Sequence, residues 1–271
     1  MLKRTITGLL MVAMLMLILF LGEIVFGVVI AVFAVIAINE LYKTTEKGHK
    51  PIKWISFLFA IPIIFYMFNT ETDISQITLY AIAVIVFMIC IMKPKKYSLI
   101  DGVITVCAGM IVFNMFYFLE KIYKIGADRM ESAYLILFCL IGAFITDTFA
   151  YFVGVTIGKH KLCPTISPKK SVEGSIGGTL GVIIIMTLYG HFVLSGRVEV
   201  FAGVPFYIYA ILGLICGIVS QIGDLFASMI KRHYDVKDYG NIFPGHGGVL
   251  DRFDSLVFVA PMVYFFINMI L

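Results

Sequence analysis

Long apolar segments alternate with short polar ones along the whole chain. Each apolar segment is nearly continuous in its hydrophobicity and long enough to cross a hydrocarbon layer of about 30 Å as a helix. Continuous apolar runs, rather than alternating polar and apolar positions, favour helices over a closed barrel. The pattern predicts nine membrane spans, at about residues 6–21, 24–41, 54–69, 77–92, 102–119, 133–156, 176–195, 204–226 and 254–271.

Composition supports an all-α, polytopic integral membrane protein. Hydrophobic residues make up 61% of the 271 residues and charged residues only 14%. Water-soluble domains carry about 25% charged residues. The five cysteines are scattered and form no C-x-x-C pair, which argues against a disulfide framework and against a zinc ribbon.

The basic residues determine the predicted orientation. With the N-terminus in the cytoplasm, 17 of the 21 lysines and arginines fall on the inner side and 4 fall outside. Cytoplasmic loops are enriched in lysine and arginine, so the net charge of +4 is explained by membrane topology and no nucleic-acid partner is expected. Two long inner loops, residues 157–175 and 227–253, offer room for a polar site.

A carboxylate lies in the middle of the sixth predicted span, at Asp147 in AFITDTFAYFVG. An ionised carboxylate at that depth costs at least a few kcal/mol, so it should face a partner or a wet cavity. The alternative is a structural carboxylate that caps a kink or pairs with a lysine.

The first long inner loop contains KLCPTISPKKSVEGSIGG. Lys169, Lys170 and Ser171 follow a proline turn, and Glu173 opens the next span. The N-terminus of a helix presents free N–H groups and a partial positive charge, which suits phosphate oxygens. The segment lacks the P-loop spacing, and a basic cytoplasmic loop can also serve only as a topology determinant.

The second long inner loop has the highest density of charges, in SMIKRHYDVKDYGNIFPGHGGVLDRFD. It follows Asp224, at the end of the eighth span, and the carboxylates of Asp251 and Asp254 lie on one face if they begin the last helix. Carboxylates beside lysine and arginine suit Mg²⁺-assisted phosphoryl chemistry. Glycines around His246 let the backbone approach a ligand closely. The alternative is a solvated amphipathic loop.

The pattern S-x-x-K-R-x4-K-D-x-G-x-x-F-P-G-H-G-G-x-x-D-R-x-D, from Ser228 to Asp254, resembles the signature of phosphatidate cytidylyltransferases (CDP-diacylglycerol synthases). The segments D-x-x-A-Y-x-x-G from Asp147 and S-P-K-K-S-x-E-G from Ser167 are similar to that family as well. Ser171 stands where many members have threonine, and it keeps the hydroxyl group. The resemblance covers residues 140–271 and extends to the first half only in hydropathy.

This resemblance implies a membrane enzyme that makes CDP-diacylglycerol and pyrophosphate from CTP and phosphatidic acid. It also implies Mg²⁺ as cofactor, with a second metal ion left open. We expect a homodimer in the cell membrane, with the site facing the cytoplasm. Residues 1–132 would form five N-terminal spans, and residues 133–271 the catalytic region of one continuous membrane domain.

The resemblance further implies roles for individual residues. The predicted metal ligands are Asp224, Asp251, Asp147 and Asp254. The predicted catalytic residues are Asp224, Asp251, Lys231 and Arg232. The predicted substrate-binding residues are Lys169, Lys170, Ser171, Glu173, Ser228, Lys237, Asp238, His246, Gly247, Gly248 and Arg252.

Two other classes of protein stand as alternatives. A CDP-alcohol phosphotransferase would carry D-G-x-x-A-R, yet Asp101 and Gly102 are followed by VITV without an arginine. A membrane transporter would place charges deep in several spans and broken helices in matching halves. Here the charges cluster at the inner ends of the last four predicted spans, which favours a site open to the surface.

Overall fold

The structure, a computed structural model, describes residues 2–68 and 74–270. That part of the chain forms ten α-helices, with bounds α1 (Leu2–Leu21), α2 (Glu23–Thr45), α3 (Ala60–Phe68), α4 (Ser75–Met92), α5 (Leu99–Ile125), α6 (Arg129–Ile157), α7 (Val172–Tyr189), α8 (Phe206–His233), α9 (Leu250–Phe253) and α10 (Leu256–Ile270). Strands β1 (Lys161–Cys163) and β2 (Ser167–Ser171) pair antiparallel between α6 and α7.

Six helices of the described residues are long and apolar enough to cross a bilayer, namely α2, α4, α5, α6, α7 with its extension to Leu194, and α8. Three shorter apolar segments, Ile6–Leu21, Lys53–Phe68 and Leu256–Ile270, coincide with the first, third and ninth predicted spans. The all-α polytopic membrane fold is therefore confirmed. The number of spans and the orientation of the N-terminus stay predictions, and residues 69 and 271, which end two predicted spans, lie outside the described residues.

The last predicted span is interrupted at its start. Helix α9 ends at Phe253 and α10 begins at Leu256, and Asp254 Oδ1 accepts a hydrogen bond from Ser255 N at 2.9 Å. A local bond between a side chain and the backbone competes with helix formation in this way. The condition under which Asp251 and Asp254 would share one helix face, that both begin the last helix, is therefore not met.

The chain divides into two compact units. The first unit consists of Met1–Glu120 and His233–Phe253, and the second of Lys121–Arg232 and Asp254–Leu271. Most of the second long loop thus belongs to the first unit, although it lies late in the sequence. The predicted division of the chain at residue 132 stays a prediction.

In the first unit, α2 packs against α1, α3 and α9. Tyr42 of α2 is fully buried, and its hydroxyl donates to the Thr105 carbonyl at 2.6 Å. The Asp101 carboxylate accepts from Lys50 N and Ser98 N, each at 2.7 Å. These bonds fix the loops at the ends of α2 and α5 while apolar side chains fill the interior.

In the second unit, α6 and α7 pack together closely because α7 carries small residues. A Cβ atom added at Gly174 would lie 2.6 Å from the Ala150 carbonyl oxygen, and one at Gly178 would lie 2.7 Å from that of Thr146. Small residues permit this approach between membrane helices. The packing sets Asp147 of α6 level with the first two turns of α7.

Candidate active site

Charged side chains from α6, α8, β2 and the turn before α10 meet in the second unit. Lys170, near the end of β2, forms an ion pair with Asp224 on α8. Lys231, farther along α8, has its Nζ atom 3.8 Å from Asp254 Oδ2. Asp147 of α6 interacts electrostatically with Asp224 and Lys170. We call these five residues the charged cluster.

The three carboxylates of the charged cluster lie close enough for their charges to interact. Asp147 Oδ2 also accepts a hydrogen bond from the Ser255 hydroxyl at 2.6 Å. The side chains of Lys231 and Asp254 are each only 13% exposed. Like charges at such low exposure need cationic partners, and the two lysines supply them here. Among the described residues, no group of three or more His, Cys, Asp or Glu side chains is arranged to hold a metal ion.

The β1–β2 hairpin is held on the start of α7 by two residues that we predicted to bind substrate. Ser171 caps α7 by accepting a hydrogen bond from Gly174 N at 3.1 Å. Glu173 Oε2 accepts from Lys159 N at 3.0 Å and His160 N at 3.2 Å. Glu173 Oε1 lies 2.6 Å from His160 Nδ1. Both residues therefore shape the hairpin, and their contact with substrate stays a prediction.

The hairpin directs its two adjacent lysines differently. Lys170 is partly buried and pairs with Asp224, whereas Lys169 is exposed. Arg232, at the end of α8, donates from Nε to the Ile166 carbonyl at 3.3 Å, in the turn between the strands. One lysine thus belongs to the charged cluster, while the other and the arginine lie on the accessible surface beside it.

In the first unit, residues 239–249 form a loop that we call the glycine loop. Asp251 anchors it, because its Oδ2 accepts hydrogen bonds from Tyr239 N at 2.7 Å and Gly248 N at 3.0 Å. Inside the loop, Phe243 N donates to the Gly247 carbonyl at 2.9 Å. A carboxylate that accepts two backbone N–H bonds is a strong anchor. The metal-ligand role of Asp251 stays a prediction.

Glu40 of α2 is a second anchor of the glycine loop, and the sequence analysis missed it. Its carboxylate accepts hydrogen bonds from Val249 N at 3.1 Å and Leu250 N at 2.9 Å. Glu40 is 7% exposed. The signal that could have revealed it is the one used for Asp147, namely a carboxylate inside an apolar span.

Two buried nitrogen atoms near the glycine loop have no hydrogen-bond partner among the described residues, His246 Nδ1 and Arg252 Nε. Buried polar atoms without a protein partner are unusual. Arg252 Nε is a donor and therefore suits an anionic group, and His246 Nδ1 does so when it carries a proton. Lys237 and Asp238, which we also predicted to bind substrate, lie exposed just before the glycine loop.

The predicted site residues are distributed over both units. The second unit contains Asp147, Lys169, Lys170, Ser171, Glu173, Asp224, Ser228, Lys231, Arg232 and Asp254, and the first contains Lys237, Asp238, His246, Gly247, Gly248, Asp251 and Arg252. The prediction that Asp251 and Asp224 bind the same metal ion stays a prediction.

Two glycines with positive φ provide a matched test of the glycine loop. Gly247 has a φ of 85°, and an added Cβ would lie 2.8 Å from Asp251 Oδ2. Gly203 has a φ of 77°, but no atom of the described residues lies within 4 Å of an added Cβ. Each change to alanine should cost about 1–2 kcal/mol in backbone strain. Gly247→Ala should also displace Asp251 and lower activity at least about tenfold.

Thermal unfolding and enzyme assays of the purified variants check this prediction. Gly203→Ala should lower the unfolding temperature but leave turnover unchanged. Equal turnover in the two variants would show that the fit between Gly247 and Asp251 is unimportant for activity.

Carboxylates and lysines gathered in a polytopic helical protein suit a membrane enzyme that acts on phosphate groups. The chain matches the Cytidylyltransferase family over residues 2–270. It is 34% identical over 277 residues to the phosphatidate cytidylyltransferase of Bacillus subtilis (strain 168), covering 97% of this chain and 96% of that relative. The chain therefore belongs to the cytidylyltransferase family and is an enzyme of the nucleotidyltransferase class.

Further relatives show the same extent of similarity. The phosphatidate cytidylyltransferase of Staphylococcus aureus (strain COL) is 33% identical over 269 residues, covering 96% of both chains. That of Staphylococcus saprophyticus is 31% identical over 271 residues, again with 96% of both chains covered. The similarity thus extends through the first half of the chain, where the sequence analysis had only a likeness in hydropathy.

Proposed function

We propose that the protein transfers the cytidylyl group of CTP to the phosphate of phosphatidic acid, which gives CDP-diacylglycerol and pyrophosphate for phospholipid synthesis. The charged cluster carries this proposal. Its three carboxylates and two lysines are the groups that a reaction between two phosphate-bearing substrates requires. The names of the relatives from Bacillus and Staphylococcus support the choice of substrates.

The phosphate of phosphatidic acid is itself an anionic nucleophile, so the reaction needs no strong general base. One of its oxygens forms a bond to the α-phosphorus of CTP. The bond from that phosphorus to the oxygen bridging the α- and β-phosphates breaks, and pyrophosphate leaves with the electron pair. The enzyme has to align the two reacting groups and to neutralise charge on the leaving group.

Positive charge for this task comes from the lysines of the charged cluster. The side chains of Lys170 and Lys231 are 22% and 13% exposed, and each is paired with a carboxylate. In our proposal these ammonium groups turn to phosphate oxygens when substrate binds, since lysine binds phosphate as a point charge. Lys169 and Arg232 add positive charge at the exposed edge of the hairpin.

The donor chemistry of the charged cluster fits Mg²⁺, which prefers a few carboxylates plus substrate phosphates to a complete cage of protein ligands. As the family resemblance implies, we propose Asp224, Asp251, Asp147 and Asp254 as its ligands, with a second ion left open. When bound, Mg²⁺ neutralises negative charge on the phosphates. The Ser255 hydroxyl orients Asp147 for this role.

We further propose a homodimer in the cytoplasmic membrane, with the N-terminus and the active site facing the cytoplasm. The orientation is supported by the basic residues, of which 17 of 21 fall on the inner side in this arrangement. Support for the dimer comes from the family resemblance alone.

The proposed reaction is tested by pyrophosphate release from the purified, detergent-solubilised protein. CTP, phosphatidic acid and Mg²⁺ are each omitted in turn, and CDP-diacylglycerol is identified in the lipid extract. Release should require all three components. A folded protein that releases no pyrophosphate, or releases it without phosphatidic acid, would contradict the proposed function.

A further inference from the structure

We propose that Glu40 is a positioning residue for the transfer reaction. It holds the glycine loop and the start of α9 in the conformation that presents His246 and Arg252 to the substrates. The inference rests on the proposed function and concerns a residue that lies 209 positions before Val249 in the sequence.

Both oxygen atoms of the Glu40 carboxylate are used. Oε1 accepts from Val249 N at 3.1 Å, and Oε2 accepts from Leu250 N at 2.9 Å. The residue is buried, so these charge-assisted bonds form where little water competes with them. One carboxylate binds two successive N–H groups. It therefore fixes the direction of the backbone at Val249 and Leu250 as well as the distance of that backbone from α2.

Glycines on both sides of the carboxylate show that the loop is shaped around it. A methyl group added at Gly240 or at Gly248 would collide with the Glu40 carboxylate. The same methyl group at Gly240 would lie 3.1 Å from Gly248 Cα. The carboxylate thus occupies a slot between two segments of the loop, and residues without a side chain leave that slot open.

Asp251 completes the anchor from the end of the loop. It accepts hydrogen bonds from Tyr239 N and Gly248 N, so two carboxylates together bind four backbone N–H groups of one segment. The charges of Glu40 and Asp251 repel each other, and hydrogen bonds to the charged forms offset that repulsion. Removal of Glu40 would leave the segment with two of its four anchoring bonds.

The anchored segment contains the two groups suited to an anion. His246 precedes the residues that Glu40 binds, and Arg252 follows them, and each has a buried nitrogen without a hydrogen-bond partner in the described part of the chain. A misplacement of about 1 Å near a reacting centre costs about 100-fold in rate. Release of Val249 and Leu250 should therefore lower turnover more than substrate affinity.

The test compares Glu40→Gln with Glu46→Gln in the full-length protein. Glutamine keeps the size of the side chain but places an NH₂ group against a backbone N–H. Glu46 lies just past the end of α2 and pairs with Lys53 at 2.7 Å on the surface, so its change is the control. For each protein we would measure amide hydrogen exchange without substrate, kcat, KM for both substrates, and the thermal unfolding temperature.

In Glu40→Gln, exchange at Val249 and Leu250 should be about tenfold faster, while exchange in α5 stays unchanged. We expect kcat to fall about 100-fold and KM for both substrates to change about threefold or less. Glu46→Gln should match the wild type in every measurement. Wild-type exchange at the two amides, equally faster exchange throughout the first unit, or a wild-type kcat would each overturn the proposal.

A second variant covers the case in which Glu40→Gln does not fold. In Gly240→Ala the added methyl group displaces the Glu40 carboxylate from the side of the loop, and Glu40 keeps its charge. We expect the same faster exchange at Val249 and Leu250 and the same fall in kcat as in Glu40→Gln. Wild-type exchange or a wild-type kcat in this variant would overturn the proposal. A wild-type protein that makes no CDP-lipid would contradict the proposed function alone, since the exchange measurement would still decide whether Glu40 holds the loop.

Discussion

The Asp224→Asn variant should form CDP-diacylglycerol about 1,000-fold more slowly than the wild type. Asp224 pairs with Lys170 and interacts with the carboxylates of Asp147 and Asp254. An amide at this position cannot carry the negative charge that attracts a divalent cation. The apparent affinity for Mg²⁺ should therefore fall together with turnover, which a titration of MgCl₂ at saturating CTP and phosphatidic acid measures.

Glu199→Gln is the control for Asp224→Asn. Glu199 lies exposed at the start of a short 3₁₀-helix in the second unit, and its change removes one carboxylate without touching the charged cluster. It should leave turnover and the Mg²⁺ titration unchanged. Near-wild-type turnover in a folded Asp224→Asn protein would defeat the assignment of Asp224 as a metal ligand.

The Lys170→Met variant should also lose activity, by about 100-fold. Its apparent affinity for Mg²⁺ should change in the opposite direction to that of Asp224→Asn. Removal of the ammonium group takes away the cation that pairs with Asp224, so a divalent cation no longer competes with it. The apparent affinity for Mg²⁺ should rise. Mg²⁺ should also raise the thermal unfolding temperature more than in the wild type, because a partly buried carboxylate that has lost its cationic partner is destabilising.

Lys161→Met provides the control within the same hairpin. Lys161 lies exposed on β1, where it pairs with Ser171 through the backbone register. Its loss should change neither turnover nor the Mg²⁺ titration. An unchanged or weaker Mg²⁺ affinity in Lys170→Met would contradict the view that lysine and metal ion share the carboxylates of the charged cluster.

Hydropathy predicted most of the helical fold, because a backbone in a bilayer must satisfy its own hydrogen bonds. The cost of a carboxylate at that depth also predicted that Asp147 faces a partner or a wet cavity, and the Ser255 hydroxyl at 2.6 Å is such a partner. The break between α9 and α10 was not predicted, and a local hydrogen bond at Asp254 lies at that break. Such a bond depends on side-chain geometry and leaves no mark in the apolar pattern.

The contacts that build the site could not be predicted in the same way. Strands β1 and β2 have three and five residues, which is too short for a periodic signal, and Pro168 obscures the second. The pairing of Lys170 with Asp224 depends on how the hairpin lies against α8. Glu40 shows the same signal as Asp147, but its partners are backbone N–H groups far along the chain, which no side-chain pattern reveals.

The separation in sequence between Glu40 and its partners also determines when their hydrogen bonds can form during synthesis. Translation adds about 5–20 residues each second, so the 209 positions between Glu40 and Val249 take roughly 10 to 40 s. Helix α2 is thus synthesised long before the amides that bind its carboxylate exist. The newly made helix must enter the membrane while its carboxylate still lacks these partners, and the first unit can be completed only once synthesis has reached Phe253.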